Sequence, residues 1–586
     1  MLVIWKILPK ISENFVKQYP QYNRVILQLL SNRNLKDQAD IRKFLYPNYK
    51  DLLDPFLFKQ MEAAVNLIIQ HIKAGSKIIV YGDYDADGIT AATVLVETLV
   101  IFKAQVDVYI PDRVSEGYGL NKKAIDELAQ AGAKLIITVD NGIRNREEVE
   151  YLKQLGLDIV ITDHHEVPQD KNAWPVSLII NQMAEDYPFK FLAGVGVAFK
   201  VALALIKKSK LAEEYKERLE EKILDLVAVG TVADCVSLIG ENRILVQAGL
   251  KILNQKRRIG LTELINIAQI NSADKLINAW NIGWQIAPRL NSAGRLEHAN
   301  TAFRLLITKD KKEAQTIAKK LNDQNSQRQK ITDEIVEYCR QQIDQRAVDD
   351  KILIITSPNL AGASKLTSDE TGREDNQSWP EGVIGLVAGR LCEQYSEPAI
   401  VITQYEGEIK GSGRSIEEFD ITQAIEQFKN NFTKFGGHAA ACGFTLKSPA
   451  DLVEFSQKLK QLANDRLQGI DLTPKLMIEA ELLLADIDEE LVQRLEDFEP
   501  FGEDNPRPKF VSFNLTIMDK VIMGANSQHI KFRFNNFWAL AFGQTEKWGN
   551  LKIGDKVDLV YYLEFNEFNG HKAIQLKVID IKSHNS

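Results

Sequence analysis

Carboxylates and imidazoles occur at short spacing in three separate places in the N-terminal half of the chain. Each group directly follows a short apolar run, and the groups read GDYDADG at 82–88, DNG at 140–142 and DHH at 163–165. Aspartate oxygens with one or two imidazoles are typical ligands of Mn²⁺ or Mg²⁺. Such ions activate water and stabilise the charge that develops when a phosphoester is hydrolysed. The residue types therefore favour metal-assisted hydrolysis.

A fourth carboxylate, Asp234, ends the segment GTVAD at 230–234 in an otherwise apolar helical stretch, where an acid needs a partner. Taken alone, Asp234 fits a buried hydrogen bond as well as a metal ligand. Asp83 or Asp140 taken alone fits a helix cap or a turn. The combination of all four groups favours a metal centre. The sequence has no Walker loop, no GxSxG elbow and no paired Cys/His nucleophile that would offer a different chemistry.

The elements that must position these groups alternate between strand and helix. Apolar runs at 77–80, 135–139 and 157–161 predict strands, and helical patterns at 89–99 and 146–155 lie between them. Continuous apolar strands separated by helices predict a buried parallel sheet. Because the strands of a parallel sheet all end at one edge, the three turns deliver five aspartates and two histidines to one crevice. One or two divalent cations would offset the repulsion between so many carboxylates.

The rest of the chain predicts a different organisation for each segment. Residues 297–345 lack Pro and Gly and predict long charged helices that form a rigid connector. Residues 351–470 return to a mixed α/β pattern, with a surface loop predicted at 357–380. From residue 505 onward the chain is rich in β-formers, which predicts a small all-β domain, most simply a five-stranded barrel.

Composition excludes several classes of protein. The chain has 586 residues with 45% hydrophobic and 26% charged side chains, which are ordinary values for a globular protein. Four separated cysteines without a CxxC pair exclude a disulfide framework and a thiolate zinc site, and they indicate a reducing compartment. The sequence shows no signal peptide and no apolar stretch of about 18 residues. We therefore expect a soluble, cytoplasmic protein without a membrane partner.

Charge is unevenly distributed along the chain. The formal net charge is −8, but residues 471–504 carry 12 acidic and 2 basic side chains, whereas residues 505–586 carry 11 basic and 7 acidic ones. The basic C-terminal segment fits a polyanion partner and fits ordinary surface charge equally well. Within it, basic and aromatic residues interleave as in proteins that bind single strands, although alternation along a strand places half of the rings in the core. These residues are Lys531, Phe532, Arg533, Phe534, Phe537 and Trp538.

At the level of motifs, the sequence resembles the DHH phosphoesterase superfamily and, within it, the exonucleases specific for single-stranded DNA. The stretches GDYDADG, VDNG, DHH and GTVAD of this sequence are similar, in order and spacing, to the four motifs of the superfamily. Two further stretches, GSGRS at 411–415 and FGGHAAACGF at 435–444, are similar to motifs of the DHHA1 domain that accompanies the DHH domain. The stretches that narrow the resemblance are PRLNSAGR at 288–295, FEPFGEDNPRPKF at 498–510 and the C-terminal β domain.

The resemblance implies an α/β multidomain protein with a parallel-sheet DHH domain, an α/β DHHA1 domain joined to it by long helices, and a C-terminal all-β OB-like barrel. The implied segments are an N-terminal extension at 1–50, the DHH domain at 51–245, a helical extension and connector at 246–345, the substrate-binding DHHA1 domain at 346–470 and the OB-like nucleic-acid-binding domain at 471–586.

The resemblance also implies roles for the carboxylates and histidines. One metal ion, Mn²⁺ or Mg²⁺, would be bound by Asp85 and Asp140, and Asp83 would lie beside it as a ligand or an orienting group. The residues implied for the second ion are Asp87, Asp140, His164 and Asp234, so that Asp140 bridges the two. His165 would lie next to the scissile phosphate as a transition-state stabiliser or proton donor. Tyr81 stands where the pyrophosphatases of the superfamily have a metal-binding His, which makes that activity a poorer fit.

Substrate contacts are predicted in four segments of the chain. In GSGRS, Ser412 offers a hydroxyl and Arg414 a guanidinium, both suited to a phosphate. Gly437 and His438 add a close backbone approach and a donor, although a lone GGH also fits a tight turn. Arg113 and Arg295 match family positions that hold the 5′ end and the backbone phosphates. Asn291 belongs to the polar stretch before Arg295, which predicts a phosphate-facing loop.

The implied activity is a two-metal 5′→3′ exonuclease that hydrolyses single-stranded DNA to 5′-mononucleotides in DNA repair and recombination. Single-strand-binding protein and a helicase are the partners that the resemblance suggests. Two alternatives stay open: a phosphoesterase acting on short oligonucleotides or cyclic dinucleotides, and an inactive nucleic-acid-binding scaffold. The basic β domain argues against the first, and the complete set of metal carboxylates argues against the second.

Overall fold

The buried parallel sheet predicted for the N-terminal half is present. The computed structural model describes residues 3–113, 115–270, 276–344, 350–360, 378–405, 407–568 and 571–584. Its first elements are β1 (Ile4–Ile7), α1 (Glu13–Gln18), α2 (Arg24–Asn32), α3 (Gln38–Leu45), α4 (Met61–Lys73), β2 (Lys77–Tyr81), α5 (Ala86–Ile101), β3 (Gln105–Tyr109), α6 (Lys122–Gln130), β4 (Ala133–Val139), α7 (Arg146–Gln154), β5 (Asp158–Thr162) and β6 (Leu178–Ile180). Strands β2 to β6 form one parallel sheet in the order β3-β2-β4-β5-β6. All its strands therefore end at one edge.

Helices cover this sheet and continue into a connector. The next elements are α8 (Gly194–Lys208), α9 (Glu213–Ala233), α10 (Gly240–Asn254), α11 (Ile259–Ile267), α12 (Ala279–Asn281), α13 (Ala287–Leu296), α14 (Asn300–Ile307) and α15 (Lys311–Ile343). A π-helical segment, Ile282–Ile286, joins α12 to α13 into one helical run. The 33-residue α15 links the sheet domain to the next α/β domain, which confirms the predicted connector. None of the described helices combines the length and the apolar character that crossing a bilayer requires.

The second α/β domain contains a mixed five-stranded sheet. Its elements are β7 (Leu353–Thr356), α16 (Glu381–Tyr395), β8 (Ala399–Tyr405), β9 (Glu408–Arg414), α17 (Ile421–Glu426), β10 (Phe432–His438), β11 (Ala441–Leu446) and α18 (Pro449–Arg466). The strand order is β10-β11-β9-β8-β7, in which only β7 and β8 pair in parallel. Most of the surface loop predicted at 357–380 lies outside the described residues.

A barrel closes the C-terminal part of the chain. Its elements are β12 (Lys475–Ile478), β13 (Ala480–Glu481), α19 (Glu489–Glu496), β14 (Phe510–Thr516), β15 (Asp519–Met523), β16 (His529–Phe534), β17 (Phe537–Ala541), α20 (Thr545–Trp548), β18 (Lys556–Phe568) and β19 (His571–Ser583). Strands β14 and β15 follow each other almost directly and pair with opposite ends of the sheet, so together they act as one bent strand of a five-stranded barrel. Phe532 and Phe534 lie in its core, as alternation predicts.

The N-terminal segment packs against this barrel. Strand β1 pairs in parallel with β12, with Ile4 opposite Lys475 and Ile7 opposite Ile478. Apolar side chains of α2 and α3 share a core with α19 and the barrel strands. Arg33 and Glu479 form an ion pair beside this core, with the side chains 7% and 8% exposed. The two ends of the chain thus form one structural unit.

Candidate metal centre and substrate cleft

The loop after β2 places three carboxylates at the start of α5. Asp85 is the N-cap of this helix, and its Oδ1 accepts hydrogen bonds from the backbone N–H groups of Asp87 and Gly88, both at 3.0 Å. The carboxylate of Asp87 accepts the N–H groups of Gly194 (2.6 Å) and Val195 (2.8 Å) at the start of α8. The positive end of the α8 dipole therefore faces Asp87 and favours its charged form.

The loop after β4 brings Asp140 to the same edge in a constrained backbone conformation. Its φ is 63°, in the left-handed region that aspartate tolerates better than most residues. A Cβ added to Gly194 would lie 2.5 Å from Oδ1 of Asp140. Only glycine leaves room for the Asp140 carboxylate at the start of α8.

His164 and Asp234 complete the arrangement from two other elements. Nε2 of His164, after β5, lies 3.2 Å from Oδ1 of Asp140 and 3.5 Å from Oδ2 of Asp234, the C-cap of α9. Three groups of potential ligand atoms lie within 4.8 Å of one another: Asp83, Asp85 and Asp140; Asp87, His164 and Asp234; and Asp140, His164 and His165. The overlap at Asp140 and His164 makes these one continuous cluster.

Unpartnered atoms show that this cluster fits divalent cations. Oδ1 of Asp83, Oδ1 of Asp140, Nε2 of His164 and Oδ2 of Asp234 are all buried without a hydrogen-bond partner. Buried polar atoms are normally hydrogen-bonded, so four orphaned ligand atoms in one place need an explanation. A donor set of carboxylate oxygens and one imidazole nitrogen suits Mn²⁺ or Mg²⁺. The residues present fit a site for such ions.

Electrostatics leads to the same conclusion. Burial, reinforced by neighbouring carboxylates, raises the pKa of Asp83 and Asp140 well above the usual range. Burial and Asp234 raise the pKa of Asp87 to about 8, while burial and Asp85 raise that of Asp234 to about 8. Without a counter-charge, these carboxyl groups would hold protons near neutral pH. Bound cations would supply the positive charge that keeps all four ionised.

The two histidines differ in their protonation. Burial and the neighbouring His165 lower the pKa of His164, which keeps its imidazole neutral and able to bind a metal. Burial alone would lower the pKa of His165, but the hydrogen bond and charge of Asp163 raise it to about 9. Nδ1 of His165 lies 2.8 Å from Oδ1 of Asp163 and 3.0 Å from the hydroxyl of Tyr118. This hydroxyl also lies 3.0 Å from the carbonyl oxygen of Asp140. Asp163 and Tyr118 thus fix the orientation of the His165 ring, which is protonated near neutral pH and lies at the edge of the cluster.

Arginines from separate elements meet beside the carboxylates. The guanidinium of Arg113 lies over the ring of Tyr84 at 4.8 Å, and Arg295 on α13 donates to the carbonyl of Gly382 at 2.8 Å. Burial, together with Arg113 and Arg328, lowers the pKa of Arg295 to about 9. Burial also lowers the pKa of Arg414 on β9, and Arg113 contributes to that shift. This concentration of positive charge is suited to phosphate groups.

The remaining predicted contacts are arranged differently. Asn291 was expected on a loop but lies on α13, and its Oδ1 accepts the N–H of Ala86 at 2.7 Å. The loop was predicted from the polar residues around Asn291, but these residues lie within the helical run and pack against the loop after β2. Nη1 of Arg414 donates a hydrogen bond to Oγ of Ser412 at 3.4 Å. Gly437 and His438 end β10 at the hairpin to β11, and no hydrogen bond or ion pair joins them to the metal cluster within the described residues.

The sequence placed Asp163 in the crevice but gave it no role, and it did not identify Arg328 at all. Asp163 precedes the histidine pair, and its carboxylate holds His165 through Nδ1 and accepts the N–H of Ile143 at 2.9 Å. Its position at a strand end was a usable signal, but nothing in the motif distinguishes a ligand from an orienting group. Arg328 on α15 lies close enough to Arg295 to contribute to its lowered pKa, and Nε of Arg328 is buried without a hydrogen-bond partner. The helix there reads as a solvated connector, so the sequence carried no signal for Arg328.

Family models match three parts of the chain. They are the DHH family N-terminal domain at residues 77–231, the DHHA1 domain at 364–465 and the RecJ OB domain at 478–580. Among curated relatives, the single-stranded-DNA-specific exonuclease RecJ of Bacillus subtilis is 35% identical over 562 residues, covering 95% of this chain and 67% of the relative. The protein of the same name from Escherichia coli is 31% identical over 579 residues and covers 95% of both chains.

Solved structures agree with these matches. The crystal structure of Thermus thermophilus RecJ in complex with Mn²⁺ superposes with a TM-score of 0.82 at 26% identity, covering all of this chain and 80% of that one. A second structure, of exonuclease RecJ bound to manganese, gives a TM-score of 0.59 at 29% identity over 72% of this chain. The fold, the carboxylate–histidine cluster and relatives aligned over nearly the full length lead to one conclusion: this chain belongs to the RecJ family.

Proposed function

We propose that this chain is a metal-dependent exonuclease specific for single-stranded DNA, which it degrades from the 5′ end to 5′-mononucleotides. The observation that carries the proposal is the cluster of orphaned ligand atoms around Asp140, with arginines from three separate elements beside it. The RecJ relatives are named as exonucleases with this specificity. A cation site next to a phosphate site is the arrangement that phosphodiester hydrolysis requires.

Two ions fit the cluster in this proposal. The first, Mn²⁺ or Mg²⁺, would be held by Asp85 and Asp140, with Asp83 as a further ligand or an orienting group. The residues proposed for the second are Asp87, Asp140, His164 and Asp234. When bound, the ions supply Lewis acidity that activates water and offsets charge on the phosphate. The chain's own contribution is to fix the ligands, as the N–H groups of Gly194 and Val195 do for Asp87.

His165 acts beside the scissile phosphate. Asp163 and Tyr118 surround its Nδ1, which leaves Nε2 as the nitrogen free to face the substrate. The raised pKa of His165 keeps the ring protonated near neutral pH. It can therefore donate a hydrogen bond to a phosphate oxygen as negative charge builds up there, or a proton to the departing 3′ oxygen.

The basic residues bind the strand. Arg113, Arg295 and Arg414 contact phosphates through their guanidinium groups, with Ser412 beside Arg414 as a further donor. Gly437 and His438, at the hairpin between β10 and β11, are the further groups proposed to contact the 5′ nucleotide. Asn291 acts indirectly, because its carbonyl oxygen is already bonded to the start of α5. These contacts address the sugar–phosphate backbone, so no base preference is expected.

The domain roles follow from the same proposal. Residues 51–245 carry out the hydrolysis, and residues 246–345 connect this domain to the next one. Residues 346–470 bind the 5′ end of the strand. Residues 471–586 hold the strand behind the cleft, and residues 1–50 pack against this last domain. The setting is the cytoplasm during DNA repair and recombination, where a helicase would supply single strands and single-strand-binding protein would coat them. The sensitivity of phosphate contacts to salt predicts that strand capture weakens as ionic strength rises.

An end-labelled digestion tests the proposal. Matched single-stranded DNA carrying a label at the 5′ or the 3′ end is incubated with Mn²⁺ or Mg²⁺, beside a blunt duplex of the same sequence. We expect immediate release of the 5′ label as a mononucleotide, gradual shortening of the 3′-labelled strand, and an intact duplex. The Asp140→Asn variant serves as the inactive control.

Other outcomes separate the alternatives. Loss of the 3′ label first would reverse the proposed polarity. Survival of long strands alongside cleavage of dinucleotides or cyclic dinucleotides would establish a small-substrate phosphoesterase instead. Binding of strands without any cleavage in either metal would leave an inactive scaffold.

A further inference from the structure

Two tryptophans are exposed on the helix that borders the metal cluster. Trp280 and Trp284 have 58% and 70% of their surface exposed, whereas the chain's other five tryptophans are buried or half-buried. Single exposed apolar side chains are common, but two indole rings one helical turn apart form a patch. We propose that they are a stacking platform for bases of the single strand between the metal cluster and the barrel. This inference rests on the proposed function and adds a binding site to it.

The start of this helical run lies against one side of the cluster. A Cβ on Gly283 would lie 3.7 Å from Cγ1 of Val232. Val232 belongs to the last turn of α9, two residues before Asp234. Trp284 directly follows Gly283, so this part of the helical run lies beside the last turn of α9, whose C-cap is Asp234.

The end of the same run lies against the other side. Asn291 bonds to the N–H of Ala86, and a Cβ on Gly294 would lie 2.7 Å from the carbonyl oxygen of Tyr84. The helix therefore borders the cluster from its Asp234 side to the loop that carries Asp85. A strand whose 5′ phosphate is in the cleft has this helix as its neighbour.

The N-terminal end of the helical run, at Ala279, is linked to the segment that leads into the barrel. Ala279, immediately before Trp280, packs in an apolar cluster with Leu238. The N–H of Leu238 donates to the carbonyl of Glu503 at 2.9 Å, on the segment that leads into the barrel. The helical segment that carries the two tryptophans thus lies between the end of α9 and the segment that leads into the domain proposed to hold the strand.

The chemistry along this path suits single-stranded nucleic acid. Each indole offers an apolar face to a base, and stacking on aromatic rings tolerates any sequence. Arg289 and Arg295 follow on the same helical run and can contact phosphates, which gives the alternation of aromatic and basic groups found in single-strand grooves. Trp284 lies in the π-helical segment Ile282–Ile286, and such segments occur often at functional sites.

Kinetics on two substrate lengths tests the platform. The variants are Trp280→Ala, Trp284→Ala, the double substitution and the corresponding Phe substitutions. Tyr215→Ala is the matched control, because Tyr215 is 47% exposed and lies on the first turn of α9, about 28 Å along the helix from Asp234. We expect the double Ala variant to raise KM for long strands at least about tenfold, equivalent to 1.4 kcal/mol. Its kcat, and its cleavage of a dinucleotide too short to reach the rings, should be unchanged, and the Phe variants should behave like the unsubstituted protein.

Photocrosslinking provides a readout that does not depend on activity. Strands with 5-iodouracil at successive positions from the 5′ end are bound without metal, irradiated, and the attached peptides identified by mass spectrometry. Crosslinks to Trp280 or Trp284 from positions behind the first nucleotide support the platform.

The outcomes distinguish this inference from the proposed function. An unchanged KM for long strands in the double Ala variant, with crosslinks only elsewhere, overturns the platform and leaves the exonuclease intact. An equal loss on long strands and dinucleotides also overturns it, since that result indicates a structural role. If the unsubstituted protein cleaves only dinucleotides, the proposed function fails, and the platform fails with it.

Discussion

Nε2 of His164 lies 3.2 Å from Oδ1 of Asp140, although the two side chains come from turns after different strands. Both atoms are buried, and neither has a hydrogen-bond partner. Burial and nearby carboxylates raise the pKa of Asp140, while burial and His165 lower that of His164. Without metal, the two groups therefore favour their neutral forms, and their proximity is not an ion pair. It is the arrangement expected of two ligand atoms that face a common cation.

Replacing the shared carboxylate should remove hydrolysis. In Asp140→Asn, an amide replaces the oxygen that both proposed ion positions use, so we expect activity on single-stranded DNA to fall more than about 100-fold. Removing only a group that hydrogen-bonds to a metal ligand already lowers activity or metal affinity 10–100-fold. Calorimetric titration with Mn²⁺ should show reduced stoichiometry or affinity.

The matched control for this change is Asp107→Asn. Asp107 lies in the same sheet, but its side chain is 64% exposed and pairs with Lys77. This variant should retain normal activity and Mn²⁺ binding. Retention of more than a tenth of the activity by Asp140→Asn would contradict the metal assignment.

A single methyl group at Gly194 should disturb the same site. The Cβ of Gly194→Ala would lie 2.5 Å from Oδ1 of Asp140, and the N–H of Gly194 holds Asp87. We expect weaker Mn²⁺ binding and at least about a tenfold loss of activity, the low end for disturbed ligand support. Gly196→Ala on the same helix is the control, because its Cβ meets only the side chain of Leu192 at 3.3 Å. Equal activity of both variants would argue against this packing constraint.

The ion pair between the N-terminal segment and the barrel should contribute to stability. Arg33 and Glu479 are joined at 2.6 and 3.1 Å, and both side chains are almost fully buried. Glu479→Gln leaves Arg33 with an uncompensated charge, which costs about 3 kcal/mol of unfolding free energy. The comparison is Glu481→Gln, whose exposed pair with Lys10 should contribute less than about 1 kcal/mol. Urea unfolding of both variants measures the difference, and equal midpoints would contradict the prediction.

Glu185 should make stability depend on pH. Burial raises its pKa to about 7, although the N–H of Gln60 donates to it at 2.9 Å. The folded protein therefore holds this proton more tightly than the unfolded chain, whose value is 4.5. The stabilising effect of the bound proton is complete below about pH 4.5 and is lost as the pH rises through about 7.

Glu185→Gln removes this ionisation. We expect the variant to be more stable than the unsubstituted protein at pH 8, by about 2 kcal/mol, and nearly equal to it at pH 5. Unfolding by urea in the presence of EDTA, which excludes stabilisation by metal, measures the difference. The neighbouring Asp186→Asn is the control, because the Asp186 side chain is 87% exposed. A difference between Glu185→Gln and the unsubstituted protein that is the same at both pH values would count against the buried carboxyl group as its cause.

The metal cluster could be predicted from the sequence because its geometry follows from topology. Asp83, Asp140 and His164 lie directly after apolar runs, and a parallel sheet places all such positions at one edge. Alternation along a strand likewise predicted that half of the rings among residues 531–538 lie in the core, without identifying which ones; Phe532 and Phe534 are the buried ones. In these cases a local pattern and one general rule fix the position in space.

Other features depend on partners that local patterns do not specify. The pairing of Ile4 with Lys475 joins two four-residue strands far apart in the sequence, and neither strand indicates its partner. Arg328 lies on a charged helix, where the sequence does not distinguish a half-buried guanidinium from a fully solvated one. Asn291 was expected on a loop because the residues around it are polar, but packing against the loop after β2 places them in a helix.

The pairing of β1 with β12 has a consequence for how the protein is made. Ile26, Leu27, Leu29 and Leu30 are buried by residues that a ribosome adds about 450 positions later. At 5–20 residues per second, these side chains wait on the order of a minute for their partners, while the sheet domain can already fold. The earliest part of the nascent chain is therefore among the last to reach its final place, and it needs protection from association with other chains in the meantime.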